Sequence, residues 1–159
     1  MNDEYNVIVE ITYMSNVKYE INSENHLCVD RVLSTPMMYP GNYGYIPNTI
    51  TDDGDPVDVL IINNTPFLPK SYVKCRILGM LETEDEKGLD PKVIAVPIHE
   101  IENTFDQLND IQDVHENTLQ YILHFFKYYK GNEKDKWVKI GEYKNKEETI
   151  KMIEKSFCP

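Results

Sequence analysis

The 159-residue chain has little cysteine, few cations for its length and no long apolar run. Its three cysteines, Cys28, Cys75 and Cys158, are odd in number and widely spaced with no CxxC, so neither a disulfide framework nor a zinc cluster is expected. Lys and Arg total 16 against 27 Asp and Glu, a formal net charge of −11. Binding along a nucleic-acid backbone relies on clustered cations that release counterions, so this balance argues against a nucleic-acid partner. It would equally repel a free polyphosphate; if phosphate is handled here, metal cations should accompany it. No segment is continuous enough for a membrane span. The opening Met1-Asn-Asp-Glu-Tyr-Asn has no basic n-region or apolar h-region, so no membrane association and a cytoplasmic location are expected. A GxxxxGK[ST] loop and a GxGxxG turn are both missing, and His26, His99, His115 and His124 form no HExxH or other metal spacing.

What is present is a globular composition, 41% hydrophobic and 27% charged, with no repeat, low-complexity tract or linker. One domain over residues 1–159 is expected. Strand-like runs occupy residues 6–13, 17–21, 26–33, 57–62, 73–81 and 92–96, separated by Pro36, Pro40-Gly41, Pro47-Asn48, Asp53-Gly54 and Pro56. The period then changes. Leu119, Ile122, Leu123 and Phe126 recur at i, i+3, i+4 and i+7, which predicts a helix from about Glu116 to Lys130, ended by Gly131. One more strand is expected at residues 137–140. Asn145, with Glu148 three residues on, caps a last helix whose Ile150, Ile153 and Phe157 are expected to face inward. Strands followed by helices, without βαβ alternation, predict an α+β fold: a small barrel or mixed antiparallel sheet flanked by helices.

Chemistry concentrates in Asp52-Asp53-Gly54-Asp55-Pro56-Val57-Asp58, where a tight bend gathers four carboxylates just before an apolar strand. Asp53 and Asp55, two apart, point the same way from an extended segment, and the bend at Pro56 can bring Asp58 to the same place. Such carboxylates stay ionised together if divalent cations bridge them; otherwise one takes a proton and becomes a candidate acid or base. A polar turn is the plainer alternative. A calcium EF-hand is excluded, because with Asp53 at loop position 1 the glycine and final glutamate positions hold Asp58 and Asn64. Magnesium, needing only one or two carboxylates per ion, fits better.

A second acidic loop runs from Asp85 through Asp90 to Lys92. Lys18 and Glu20 share one strand face, and Glu10 lies among apolar neighbours in the strand before. Arg31 sits inside the apolar run 29–33 and needs an anionic partner that suits its fork, carboxylate or phosphate. Tyr39, Tyr43 and Tyr45 alternate with turn formers and read equally well as core or as site. Tyr128-Tyr129-Lys130 reads either as a solvated helix end or as a phenol and an ammonium aimed at phosphate.

These pieces together resemble the soluble inorganic pyrophosphatases of the first family, in the short prokaryotic-type form. The likeness runs from Val-Glu10-Ile through Lys18-Tyr-Glu20, Val29-Asp-Arg31, Tyr39-Pro-Gly-Asn-Tyr43-Gly-Tyr and Asp53-Gly-Asp-Pro-Val-Asp58-Val-Leu. It continues through residues 85–92 and His124-Phe-Phe-Lys-Tyr-Tyr129-Lys130 to Lys136-Trp-Val-Lys. Thr12, where the family usually has Pro, and the uncharged Cys158-Pro159 end are the departures, and neither touches a motif. The resemblance implies a five-stranded OB-like β-barrel flanked by two main helices. It also implies hydrolysis of pyrophosphate to two orthophosphates by a metal-activated water, with several Mg2+ ions and no covalent intermediate. By motif position, Asp53, Asp58 and Asp90 would hold the principal metal and Asp58 would bridge to a second. Asp85 and Asp90 would hold substrate-associated magnesium, with Glu10 and Glu20 supporting metal and water. Asp55 would orient or deprotonate the attacking water, with Asp85 as the second catalytic carboxylate. Lys18, Arg31, Tyr43, Lys92, Tyr129 and Lys130 would grip phosphate, supported by Tyr39. A homo-oligomer, by resemblance a hexamer, is implied as well. Two other readings stay open on the residues: a magnesium-dependent nucleotide pyrophosphohydrolase, whose helical Glu cluster is not found, and a non-catalytic OB-like binding module, which the net charge disfavours.

Overall fold

Residues 2–131 and 133–159 are described by a computed structural model of the chain. In chain order it forms β1 (Glu4–Ile11), β2 (Val17–Ile21), β3 (Leu27–Val32), β4 (Asn42–Ile46), β5 (Val57–Ile61), β6 (Tyr72–Asp85), β7 (Gly88–Leu89) and β8 (Lys92–Pro97). A single 3-10 turn (Ile111–Asp113), helix α1 (Glu116–Tyr128), β9 (Val138–Asn145) and helix α2 (Lys146–Ser156) follow. The main sheet runs β1-β4-β5-β8-β6, and β6 pairs back onto β1, closing a five-stranded ring of OB-like, α+β architecture. Only β5–β8 in that ring is parallel. Beyond the ring, β9 and the short β7 pair with the far half of β6, while β2 and β3 form a separate two-stranded hairpin.

Strand alternation sorts the apolar residues into two cores. Val57, Val59 and Ile61 of β5 and Val93 and Ala95 of β8 pack in one cluster with Ile150 and Ile153 of α2. Their neighbours Leu60, Ile94 and Val96 face the other way, into a cluster with Ile122, Phe125 and Phe126 of α1. Every residue of β8 is buried, as expected for a parallel pair covered on both faces. The same parity has a chemical consequence: Asp58 and Lys92 share the register side of Leu60 and Ile94, so both belong to the α1 face.

The helices form where the apolar periodicity places them, and Asn145 caps α2 by accepting from the Glu148 amide at 2.9 Å. Four details differ from the sequence expectation. The Tyr-rich stretch contains β4, which the turn formers around it hide. Strand β6 runs on to Asp85, so that carboxylate stands on a strand end. The last strand starts at Val138, leaving Trp137 half exposed, and continues to Asn145. Phe157 follows α2 as its extended cap residue, stacks on Tyr5 at 6.1 Å between ring centroids, and bridges to Thr49 through its backbone. It is 37% exposed, so the inward apolar face of α2 is made by Ile150 and Ile153, with Met152 packed beside them.

Gly44 is what lets β4 lie against β1: a Cβ built there would stand 1.9 Å from the Ile8 carbonyl oxygen and 3.0 Å from Val9 Cα, both backbone atoms that cannot step aside. Gly44→Ala is therefore expected to destabilise the protein by about 3 kcal/mol, the upper end for overpacking. Urea unfolding followed by circular dichroism measures this. A loss below ~0.5 kcal/mol would show that the barrel seam is not closed this tightly.

Candidate active site

Asp58 and Lys92 are register partners across the parallel β5–β8 pair. Lys92 Nζ lies 2.9 Å from Asp58 Oδ2 and 2.6 Å from Asp90 Oδ2, and its side chain is only 5% exposed. The rings of Tyr43 and Phe126 flank the ammonium at 5.7 and 5.6 Å from their centroids. Burial alone would favour neutral lysine, but the Asp58 and Asp90 charges outweigh it and hold the ammonium's pKa well above the usual value. Asp90 is under the opposite stress. Burial, with Asp58 beside it, pushes Asp90 up to about 6 although Lys92 pulls the other way.

The β2–β3 hairpin closes a second side. Lys18 and Glu20 face the same way, as their spacing requires, and pair at 3.1 Å, while Asp30 stands 3.5 Å from the same ammonium. Burial works against the Lys18 charge, but Glu20 raises its pKa above the usual lysine value. Arg31 sits opposite Lys18 in the hairpin register. Glu10, reaching from β1, accepts the Ile21 amide at 2.8 Å and so ties the barrel to the hairpin. Burial raises its pKa to about 7; that amide opposes the shift, and Asp58 and Glu20 add to it.

Two loops supply the rest. Asp53 accepts from Thr51 Oγ1 at 2.5 Å and from the Asp55 amide at 3.0 Å, and Gly54 takes a φ of +88° that an L side chain resists, so the turn directs Asp55 outward. Burial and the Asp53 charge raise the Asp55 pKa, and Lys87 Nζ, 3.9 Å away, acts in the other direction. Across the site Lys130 lies 3.2 Å from Asp85 and 3.7 Å from Glu86. Burial would raise Asp85, but the Lys87 amide and the Lys130 ammonium prevail and hold it below the usual value. Tyr129 and Lys130 are both buried, so the end of α1 is a wall of the site rather than a solvated face.

One cavity of about 440 Å³ gathers these groups. Of the carboxylates given a site role in the sequence, Glu10, Glu20, Asp53, Asp55, Asp58, Asp85 and Asp90 line it. Lys18, Arg31, Lys92 and Lys130 line it together with Tyr39, Tyr43 and Tyr129, whereas Asp52 and Tyr128, singled out beside them, do not. Behind them Tyr39, Phe125 and Tyr129 stack at 4.7 and 5.1 Å, an apolar backing that weakens screening of the charges in front. Sequence reasoning missed Glu86 and Lys87, although they sit inside the acidic loop it singled out. It also missed Lys134 and Asp135, charged loop residues that follow no motif, and gave no role to Lys136, which opens the last of the matching segments. His115, given no role from spacing, caps α1 by accepting from the Asn117 amide at 3.1 Å.

The donor set fits a hard divalent cation. Every candidate ligand is a carboxylate oxygen, and neither thiol nor imidazole lines the cavity among the described residues. No three acidic, histidine or cysteine side chains among the described residues converge on one point. An oxygen-only donor set suits a hard divalent ion that keeps part of its water shell. Raised pKa values at Glu10 and Asp90 mark the positions where added positive charge relieves the most stress.

An acid-and-base-lined cavity on a closed OB-like barrel is suited to a metal-bound anion such as a phosphoanhydride, and the comparisons with known proteins give the family. The inorganic pyrophosphatase family model matches residues 7–158. The inorganic pyrophosphatase of Rickettsia bellii is 48% identical over 155 residues, 96% of this chain and 89% of the relative. That of Helicobacter pylori is 47% identical over 155 residues, 97% of this chain and 90% of the relative. The solved H. pylori enzyme superposes with a TM-score of 0.94, covering 97% of this chain and 91% of that one. The Thermus thermophilus enzyme, 38% identical, superposes with a TM-score of 0.91 over 96% and 88% of the two chains. The chain belongs to the inorganic pyrophosphatase family. It is an enzyme of the inorganic diphosphatase class.

The Glu10 pKa sets a pH dependence in the metal-free protein. Its folded value of about 7 exceeds the ordinary 4.5, so between those limits the folded state holds more protons than the unfolded state. Stability from this group is full below pH ~4.5 and is lost as pH rises to about 7. In EDTA, wild type should therefore lose thermal stability across that window more steeply than Glu10→Gln, read by the melting temperature at each pH. Equal slopes for the two proteins would remove the assignment.

Proposed function

We propose that the protein hydrolyses inorganic pyrophosphate to two orthophosphates by direct attack of water, with several Mg2+ ions and no covalent intermediate. The observation that supports this best is the interleaving of the two charge sets in one cavity: Lys92 between Asp58 and Asp90, and Lys130 beside Asp85 and Glu86. A site that binds a metal–anion complex needs carboxylates for the cation and ammonium or guanidinium groups for the anion, and neither set suffices alone.

In this reading Asp53, Asp58 and Asp90 hold the principal ion, Asp85 and Asp90 the substrate-associated ions, and Glu10 and Glu20 support them. Bound Mg2+ supplies Lewis acidity, which makes water a usable nucleophile near neutral pH. Asp55 orients the attacking water and accepts its proton as the new P–O bond forms; its raised pKa suits a base. Lys18, Arg31, Lys92 and Lys130, with Tyr43 and Tyr129, hold the non-bridging oxygens, and the cations among them absorb the charge that appears on the departing phosphate as the bridging P–O bond breaks. Tyr39 packs behind Tyr43, 5.4 Å between centroids, and keeps that ring in place. The chain is read as one domain acting in the cytoplasm and assembling as a hexamer, which sedimentation tests directly; no described helix is long and apolar enough to cross a membrane.

Orthophosphate release from pyrophosphate with Mg2+, with EDTA and Asp58→Ala as controls and ATP as a second substrate, tests the activity. Rapid release from pyrophosphate, lost in both controls and absent with ATP, is the expected result. ATP turnover would favour the nucleotide pyrophosphohydrolase. Asp55→Asn should lower kcat by about 100-fold or more with its melting temperature kept. Near-wild-type turnover of that variant across pH would move the base to Asp85.

A further inference from the structure

Arg31 stands on the β2–β3 hairpin, which shares no ladder with the barrel. Its guanidinium nonetheless has a fixed address, because Nη1 donates to Glu133 Oε1 at 2.7 Å across 102 residues of chain. Glu133 belongs to the loop that follows α1. That loop is anchored just before the contact. Lys130 before it pairs with Asp85 and Glu86. Gly131, at φ +60°, passes so close to Ser34 that a Cβ would meet its Oγ at 2.8 Å.

Arg31 lines the cavity, and so do Lys134, Asp135 and Lys136 of the loop; Glu133 is not among the lining residues. Its carboxylate thus holds the guanidinium without itself being one of the groups that line the cavity. The fork has a second edge, made by Nε and Nη2. Nε is buried and makes no hydrogen bond, with Asp30 Oδ2 too far away at 3.6 Å. A buried N–H without an acceptor is costly, and a phosphoryl oxygen is an acceptor that would relieve that cost.

We propose that Glu133 is a positioning residue for the pyrophosphatase reaction: by holding Nη1 from behind, it presents the Nε/Nη2 edge of Arg31 to a phosphoryl group of the substrate. The proposal rests on the pyrophosphatase reading of the site. Glu133 touches no reacting atom and acts through Arg31 alone.

A double-mutant cycle tests it, using Glu133→Gln, Arg31→Ala and the pair, with each variant's melting temperature taken to establish that it is folded. Steady-state pyrophosphate kinetics in Mg2+ give KM and kcat separately, and titration calorimetry with methylenediphosphonate, a non-hydrolysable pyrophosphate analogue, reads binding without turnover. Glu133→Gln should raise KM and the analogue Kd by about tenfold, with kcat changed much less. In the Arg31→Ala background the same change should have no effect. Tighter binding by Glu133→Gln would mean that the carboxylate competes with substrate, and would overturn the proposal. An equal loss in the Arg31→Ala background would also overturn it, by showing a loop effect independent of Arg31. Wild type in the same series separates the two readings, because absent pyrophosphate turnover there would count against the pyrophosphatase reading and not against the ion pair.

Discussion

An ammonium taken out of water costs several kcal/mol unless anions meet it, and two carboxylates brought together repel unless a cation separates them. Lys92, Asp58 and Asp90 meet both requirements at once, at 2.9 and 2.6 Å. The barrel is what allows it. The parallel β5–β8 pair sets Asp58 opposite Lys92, and the extra pairing of Asp90 follows from its place two residues before Lys92, at the mouth of the same strand. The aromatic wall from α1 then seals this cluster on one side, so its electrostatics are felt at low dielectric and stay open only toward the cavity.

Much of this was legible in the sequence, because it depends on local chemistry and on period. The bend at Asp53-Gly54-Asp55-Pro56 directs its carboxylates through glycine's positive φ and proline's fixed φ, both written in residue identity. The apolar face of α1 and the cap at Asn145 were readable for the same reason. What escaped depends on partners distant in sequence. Strand β4 has the composition of a turn and becomes a strand because β1 and β5 pair with it on both sides, with Gly44 permitting the approach. Phe157 has the spacing of a helix face, but the contact with Tyr5 and the bridge to Thr49 draw the chain out of the helix. Arg31 announced its need for an anion; that Glu133 meets it, 102 residues away, has no local signature.

The site is assembled from elements that have no common rigid support. Four strands of the ring and the loops leading from them carry the carboxylates nearest Lys92, whereas the hairpin carries Lys18, Glu20 and Arg31 on a separate sheet. Side chains bridge the gap. Glu10 holds the hairpin by the Ile21 amide, and Glu133 holds it by Arg31. Both of these ties are carboxylates that accept from the hairpin; Lys70 adds a third by donating to the Asn25 carbonyl, and Tyr19 packs on the core beneath α1, whereas β5 and β8 are placed by backbone ladders. Protonation or loss of either carboxylate acts on geometry as well as on charge.

The charge distribution resolves an apparent contradiction between a net charge of −11 and an anionic substrate. Acidic and basic side chains line the cavity in nearly equal number, so the excess negative charge lies on the rest of the surface. A bare polyanion approaching that surface is repelled over the distance of a Debye length, whereas a complex with divalent cations has most of its charge neutralised before it arrives. In the proposed reaction the carboxylates that now pair with Lys92 and Lys130 would turn to the incoming cations, freeing those ammonium groups for the phosphate oxygens. Such an exchange of partners would couple the binding of the cation to the binding of the anion.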